Sequence, residues 1–158
     1  MISIRNLSIT YGRMTSRGRS GETEAVKNLT LSVEKGRLFA LAGESGSGKS
    51  SVLMAIPGLL PEGTRVSGEI LLDGRNLAAL TEEELNALRW RRIALIPQGA
   101  MNSFTPVLTV GRHIEEVLDV HLGLSKSAAR ERTGELFGMA GLDASLASRY
   151  SHELSGGQ

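Results

Sequence analysis

The chain has 158 residues, about the length of one domain, and 41% of them are hydrophobic, which is enough to build a core. Its 18 basic and 17 acidic residues give a formal net charge of +1, so the composition gives no reason to expect nucleic acid as a partner. Because cysteine is absent, disulfides, cysteine-ligated metals and cysteine nucleophiles are excluded.

The first 33 residues predict two antiparallel strands joined by a hairpin loop. Apolar and polar residues alternate in ISIRNLSITYG and again in AVKNLTLSV, which is typical of half-buried strands. Between them lies RMTSRGRSGETE, a polar, glycine-containing segment that predicts a solvated loop. Its basic residues leave open a contact with phosphate or with a partner; they are Arg13, Arg17 and Arg19.

Two later segments are continuously apolar, which predicts strands covered on both faces as in a parallel α/β sheet: Leu38 to Ala42 and residues 92–98. Between them, SSVLMAI predicts a helix ended by Pro57, and GEILLDG predicts a strand. A second helix is predicted from Thr81, which forms a capping box with Glu84. No apolar run approaches the roughly 18 residues that a membrane-spanning helix needs, and the first residues are not those of a signal peptide.

From residue 107 onward the chain predicts only helices. Three groups of apolar residues follow helical spacing there. They are Val110, Ile114, Val117, Leu118 and Leu122; then Ala129, Thr133, Leu136, Phe137 and Ala140; then Leu142, Leu146 and Tyr150. The sequence therefore predicts a strand-rich part over 1–106 and a helical part over 107–158.

A glycine-rich loop, GESGSGKS from Gly43 to Ser50, fits the pattern G-x-x-x-x-G-K-[ST] between a predicted strand and a predicted helix. Gly46 and Gly48 would let successive backbone N–H groups face inward toward an anion. Lys49 would reach the β- and γ-phosphates of a nucleotide, and the Ser50 hydroxyl would bind Mg²⁺. A glycine turn without a ligand is the alternative, but strand, loop and helix all agree with a phosphate site.

Three motifs follow one another in a specific order: the loop at 43–50, Gln98 in LIPQ, and LSGGQ at 154–158. Together they resemble the nucleotide-binding domain of ABC transporters, with its Walker A, Q-loop and signature motifs, and the resemblance covers the whole chain. It implies an α/β fold, a P-loop NTPase core with an antiparallel β subdomain and an α-helical subdomain. It also implies an ATP-binding core over 1–106, with the Q-loop at 98–106, and a helical subdomain over 107–158.

The resemblance implies roles for individual residues. Tyr11 matches the aromatic residue that stacks on adenine, although a strand tyrosine packing on its neighbours is the alternative. Gln98 matches the glutamine that helps to bind Mg²⁺ and the water near the γ-phosphate. Lys49 and Gln98 are thus the expected catalytic residues, and Ser50 and Gln98 the expected Mg²⁺ ligands. The expected ATP-binding residues are Tyr11, Gly43, Glu44, Ser45, Gly46, Ser47, Gly48, Lys49, Ser50 and Ser51.

The signature motif implies a partner subunit. In the family, Ser155 and the N–H groups of Gly156 and Gly157 bind the γ-phosphate of ATP held by a second ABC ATPase subunit. The expected signature residues are Leu154, Ser155, Gly156, Gly157 and Gln158. The resemblance further implies ATP and Mg²⁺ as cofactors, a head-to-tail dimer, a transmembrane permease contacted through the Q-loop region, and a peripheral location at the cytoplasmic face of the cell membrane.

A narrower resemblance concerns GLLP, GEILLDG, RRIALIPQ and MNSFTP, which look like the ATP-binding subunits of bacterial and archaeal peptide/nickel importers. It implies an ATPase that couples ATP hydrolysis to ADP and phosphate with the import of peptides or nickel. A soluble ABC ATPase acting in DNA repair or translation, or a nucleotide-binding fragment without hydrolysis, are the alternatives.

In the family, the signature is followed by the Walker B strand with its Mg²⁺-binding Asp and catalytic Glu, and then by the switch His. The 158 residues contain none of these, so the resemblance implies a truncated domain. We therefore expect negligible ATPase activity from this chain alone. We also expect apolar surface to be exposed at Leu38 to Ala42 and at Ile93 to Ile96, with self-association as the result.

Overall fold

The structure, a computed structural model, describes residues 1–15, 18–97, 99 and 103–158. These residues form two compact units, Met1–Leu95 and Ile96–Gln158. The first unit contains strands and two helices, whereas the second contains helices and short 3₁₀ turns. The assignment of an ATP-binding core to residues 1–106 and of a helical subdomain to residues 107–158 stays a prediction.

A four-stranded antiparallel sheet forms the first unit, with the strand order β2-β1-β3-β4. The strands are β1 (Ile2–Thr15), β2 (Gly18–Val33), β3 (Arg65–Leu72) and β4 (Arg75–Asn76). The predicted hairpin is confirmed, but the predicted loop is too long. Pairing continues out to Thr15 opposite Gly18, because a two-stranded ribbon can satisfy its backbone hydrogen bonds without a core beneath it.

A bulge in β1 explains why its apolar residues do not alternate strictly. Ile4, Leu7 and Ile9 are all fully buried, although Leu7 lies three positions after Ile4 and strict alternation would place the two on opposite faces. Asn6 has a φ of 50° and the pairing register shifts beside it, so the extra residue returns the following side chains to the core face. On β3, a Cβ at Gly68 would overlap the carbonyl oxygen of Asn6, which makes glycine the residue that accommodates the bulge.

Helix α1 (Lys49–Ala55) follows the glycine-rich loop and buries Val52 and Ala55. It ends where predicted: the N–H groups of Gly58 and Leu59 donate to the carbonyls of Ala55 and Met54 at 3.1 and 2.8 Å. These bonds satisfy two of the carbonyls left open at the C-terminus of the helix, while Pro57, which has no N–H, cannot continue it.

Helix α2 (Glu82–Leu88) begins with the predicted capping box. The Thr81 hydroxyl accepts from the N–H of Glu84 at 3.3 Å, and the Glu84 carboxylate accepts from the N–H of Thr81 at 2.9 Å. A short 3₁₀ turn, Leu77–Ala79, precedes the helix. Sheet and helices share one hydrophobic core: Ile4, Leu7, Ile9, Val26, Val52, Ala55, Ile70, Leu77 and Leu85.

The two strands predicted from continuous apolar runs are wrong for the residues that the structure describes. Residues 37–44 have no regular secondary structure, and Leu38 is fully exposed at 101%. In the second run, Ile93 forms an isolated bridge to Arg89, and Ile96 is 88% exposed. A strand buried on both faces needs neighbours on each side, and the described sheet pairs β1 to β4 only with one another.

The second unit is built from α3 (Val110–Leu122) and α4 (Lys126–Met139), as the first two apolar groups predicted. Their N-caps are Thr109 and Ser125, whose hydroxyls accept from backbone N–H groups of the first turn. In the region of the third group the chain forms two 3₁₀ turns, Ala144–Ser148 and Ser151–Glu153, rather than an α-helix, and only Leu146 of that group lies inside one of them. In the described part of the chain, no helix has both the length and the apolar character to cross a membrane.

Candidate nucleotide-binding site

The glycine-rich loop, Gly43 to Ser50, is an exposed turn that leads into α1. The N–H of Ser47 donates to the carbonyl of Glu44 at 3.2 Å, which closes the turn. Gly46 and Gly48 have φ values of 82° and 88°, in the left-handed region that favours glycine. The backbone therefore has the curl that the sequence pattern predicts, while phosphate binding by the loop remains a prediction.

Strand β2 fixes the end of this loop. A Cβ at Gly48 would overlap the carbonyl oxygen of Ala25 and lie 3.0 Å from a methyl group of Val26. Because Val26 belongs to the core, the point at which the loop becomes helix α1 rests directly on the sheet. The base of the loop is thereby held against the edge of the hydrophobic core.

The ammonium group of Lys49 lies across the loop. It donates to the carbonyls of Gly43 and Glu44 at 2.8 and 2.5 Å and to the Ser47 hydroxyl at 3.1 Å. All three acceptors are neutral, so they orient the cation without neutralising it. An anion at this loop would gain charge-assisted hydrogen bonds, which are stronger than the neutral ones it would replace.

Two serines follow Lys49 in the first turn of α1. Ser50 is exposed, and its hydroxyl has the chemistry to bind Mg²⁺. In the described residues, no group of three His, Asp or Glu side chains is arranged to hold a metal. Since Mg²⁺ commonly takes few protein ligands together with substrate phosphates, these residues fit a Mg²⁺ ion delivered with a nucleotide.

Tyr11 reaches the same helix turn from β1. Its hydroxyl donates to the Ser51 hydroxyl at 2.9 Å, and the ring packs against the hydrophobic core. Sequence reasoning placed both residues among the ATP-binding set but missed the bond between them. The sequence carries no local signal of that bond, because Tyr11 and Ser51 lie 40 residues apart.

The signature motif closes on itself in the second unit. The Gln158 side-chain oxygen accepts from the N–H and from the hydroxyl of Ser155, both at 3.0 Å, and the Gln158 N–H donates to the Ser155 carbonyl at 2.9 Å. Gly156 and Gly157 are exposed at the tip of this turn. Leu154 just before them is half-buried.

A carboxylate precedes the signature. The N–H of Tyr150 donates to Glu153 at 2.8 Å, and Arg149 lies 3.3 Å away. The backbone bond first, and then the arginine, lower the pKa of Glu153 below its usual value. Glu153 is therefore ionised at neutral pH.

Gln98, expected to be catalytic and to bind Mg²⁺, lies outside the described residues, as does Arg17 of the hairpin. Further along the Q-loop region, the N–H of Thr105 donates to Nε2 of His113 at 3.0 Å. Nε2 must then be unprotonated, so Nδ1 carries the hydrogen and donates to the Thr109 carbonyl at 3.0 Å. The Phe104 ring meets the same imidazole edge-on at 5.2 Å.

A scan against protein-family models matches residues 26–158 to the family described as ABC transporter. The match begins in β2 and includes the glycine-rich loop, the Q-loop region and the signature. It covers well over half of the chain.

Curated relatives with similar sequences are peptide-transport proteins. The chain is 37% identical to the oligopeptide transport ATP-binding protein OppD of Bacillus subtilis, with 99% of this chain and 44% of that protein covered. It is 38% identical to the OppD protein of Mycobacterium tuberculosis, covering 96% and 25%, and 35% identical to the dipeptide transport ATP-binding protein DppD of Lactococcus lactis, covering 99% and 45%. The chain thus spans a quarter to less than half of the length of these relatives.

Among solved structures, the fold is similar to that of the ATP-binding cassette MJ0796. A dimeric structure of that protein in a post-hydrolysis state, bound to ADP and Pi, matches with a TM-score of 0.83 and 29% identity. The match covers all of this chain and 65% of the other. A second dimeric structure of MJ0796, a bacterial ABC transporter cassette, gives a TM-score of 0.80 at the same identity.

Proposed function

The chain belongs to the ABC transporter family, and on that basis we propose that it is the ATP-binding part of an importer, with peptides as the transported solute. The observation that carries the proposal is the loop from Gly43 to Ser50. In this loop the Lys49 ammonium group donates hydrogen bonds to three neutral acceptors. The peptide-transport names of the relatives and the narrower sequence resemblance support the choice of solute.

In this proposal, the loop binds the phosphates of ATP. Lys49 exchanges carbonyl acceptors for phosphate oxygens, and the Ser50 hydroxyl binds a Mg²⁺ ion that the phosphates share. Bound ATP supplies a γ-phosphate whose hydrolysis drives transport. Gln98 orients water and Mg²⁺, and Tyr11 stacks on the adenine.

The proposed assembly has two nucleotide-binding subunits packed head to tail. Residues Leu154 to Gln158 of each would bind the ATP held in the other subunit's loop, so ATP would favour the closed dimer. Dimeric structures of the similar cassette support this arrangement. A membrane permease would bind the Q-loop region, residues 98–106, at the cytoplasmic face of the membrane.

The ATP-binding step is tested by Lys49→Ala in the complete gene product, with ATP affinity measured by calorimetry in the presence of Mg²⁺. We expect affinity to fall at least about tenfold, because a charge-assisted bond of roughly 1.5–3 kcal/mol is lost. The matched control is Lys35→Ala, which removes an exposed lysine from a turn of the same unit. Unchanged affinity in Lys49→Ala, or an equal loss in the control, would contradict the proposal.

The transport step is tested in cells that lack the gene, complemented with the wild type or with Lys49→Ala. Labelled peptide uptake should return only with the wild type, and a tagged protein should co-purify with a membrane permease. Uptake of Ni²⁺ instead of peptide would show that the transported solute is nickel and not a peptide. Co-purification with nucleic acid or ribosomes and without a permease would favour the soluble class of ABC ATPase.

A further inference from the structure

We propose that Ser51 is a positioning residue for Tyr11. The Tyr11 ring meets the nucleotide base, and the hydrogen bond between the two hydroxyls fixes the position of that ring relative to the phosphate loop. The inference rests on the proposed function, because Tyr11 meets a base only if ATP binds at the loop. It assigns to the Tyr11 hydroxyl a role that stacking alone would not require.

The bond joins two elements that the chain keeps far apart. Tyr11 lies on β1 opposite Thr23, and Ser51 lies 40 residues later in the first turn of α1. The two oxygens are 2.9 Å apart in a partly buried setting. Ser51 lies two residues after Lys49. A tilt of the Tyr11 ring that breaks the bond therefore also changes the position of the ring relative to the phosphate loop.

Apolar packing alone would let the Tyr11 ring tilt, and the hydrogen bond to Ser51 restricts that tilt. The body of Tyr11 contacts the edge of the hydrophobic core and is half-buried, so part of the side chain stays accessible. Apolar contacts are not directional, whereas a hydrogen bond at 2.9 Å restricts both the position of the phenol oxygen and the tilt of the ring. Phenylalanine would fill the same space without that restriction.

The test uses the complete gene product with two ligands, ATP and inorganic tripolyphosphate, and with the variants Tyr11→Phe, Ser51→Ala and the double variant. Tyr11→Phe should weaken ATP binding about fivefold, the equivalent of one net hydrogen bond, and leave tripolyphosphate affinity unchanged. In the Ser51→Ala background, the same change should have no further effect. Ser51→Thr, which keeps a hydroxyl, should restore wild-type ATP affinity.

The matched control is Tyr150→Phe, which removes a phenolic hydroxyl from the second unit and should leave both affinities unchanged. The inference is overturned if Tyr11→Phe leaves ATP affinity intact, if it weakens both ligands equally, or if the two single changes are additive. A wild-type protein that binds neither ligand would instead overturn the proposed function itself.

Discussion

At the scale of single residues, the two inner glycines of the phosphate loop share a conformation but not an environment. Both have left-handed φ values, yet a Cβ at Gly46 would meet open space, whereas a Cβ at Gly48 would overlap the Ala25 carbonyl on β2. The effect of the positive φ and the effect of the contact with β2 can therefore be separated by making the same substitution at Gly46 and at Gly48.

We predict that Gly48→Ala destabilises the protein more than Gly46→Ala does. Each alanine has the strain of a positive φ, about 1–2 kcal/mol, but only the one at residue 48 must also push β2 away from the loop. Urea unfolding of both variants measures the difference. Equal losses would show that the contact with Ala25 yields without cost.

The residue scale also shows how far sequence reasoning reaches into the site. The curl at Gly46 and Gly48 follows from a local motif, because glycine allows the left-handed backbone that both positions adopt. The Tyr11 to Ser51 bond has no such local signal, because it depends on how β1 and α1 pack. The ring contacts of His113 span only eight residues but also have no local signal, since they require the backbone of Thr105 to fold back onto the imidazole.

At the scale of elements, α2 is stabilised at its start by reciprocal bonds. The Thr81 hydroxyl and the Glu84 carboxylate each accept from the other's backbone N–H, and Arg75 lies 2.6 Å from the same carboxylate. Other local signals, Pro57 after α1 and the helical spacing of apolar residues in α3 and α4, made the remaining helices predictable from the sequence.

We predict that Thr81→Ala lowers the free energy of unfolding by about 1 kcal/mol, the usual effect of removing such a cap. Thr81→Ser keeps the hydroxyl and should cost much less. Both are measured by urea unfolding at neutral pH. A serine variant as unstable as the alanine variant would mean that the methyl group, and not the cap, is what matters.

A pH dependence follows from the same box. The Thr81 backbone N–H, then the Thr81 hydroxyl and Arg75, hold the pKa of Glu84 below its ordinary value of 4.5. A carboxyl with a lowered folded pKa contributes stability above its unfolded pKa, and that contribution is lost as the pH falls through the folded pKa.

We therefore expect the stability gap between the wild type and Glu84→Gln to be full at neutral pH and to narrow below about pH 4.5. Urea midpoints measured from pH 7 to pH 3 give this gap directly. A gap that stays constant across the range would show that ionisation of Glu84 contributes nothing.

At the scale of the whole molecule, the two continuously apolar runs mark where sequence reasoning was wrong. Their apolar composition favoured buried strands, but a strand exists only with partners, and the described sheet supplies none to Leu38. Leu38 is fully exposed, Phe39 is about half exposed, and the backbone beside them has no regular structure.

We predict that these 158 residues, expressed on their own, self-associate through this segment, because it offers both apolar side chains and strand-forming backbone. Leu38→Ser should shift sedimentation toward monomer. Val120→Ser, at a site 70% exposed on α3, should change it little, because a helix satisfies its own backbone. A stable wild-type monomer would contradict the prediction.

The bulge at Asn6 gives Gly68 an influence that reaches beyond its own strand. Side chains alternate between the two faces of a strand, so losing one extra residue would turn either Ile4 or Leu7 from the core to the solvent. A larger residue at position 68 would force that choice, since it could not sit beneath the Asn6 carbonyl. The absence of a side chain at Gly68 on β3 thus favours, of two competing alignments of β1, the one in which both Ile4 and Leu7 point into the core.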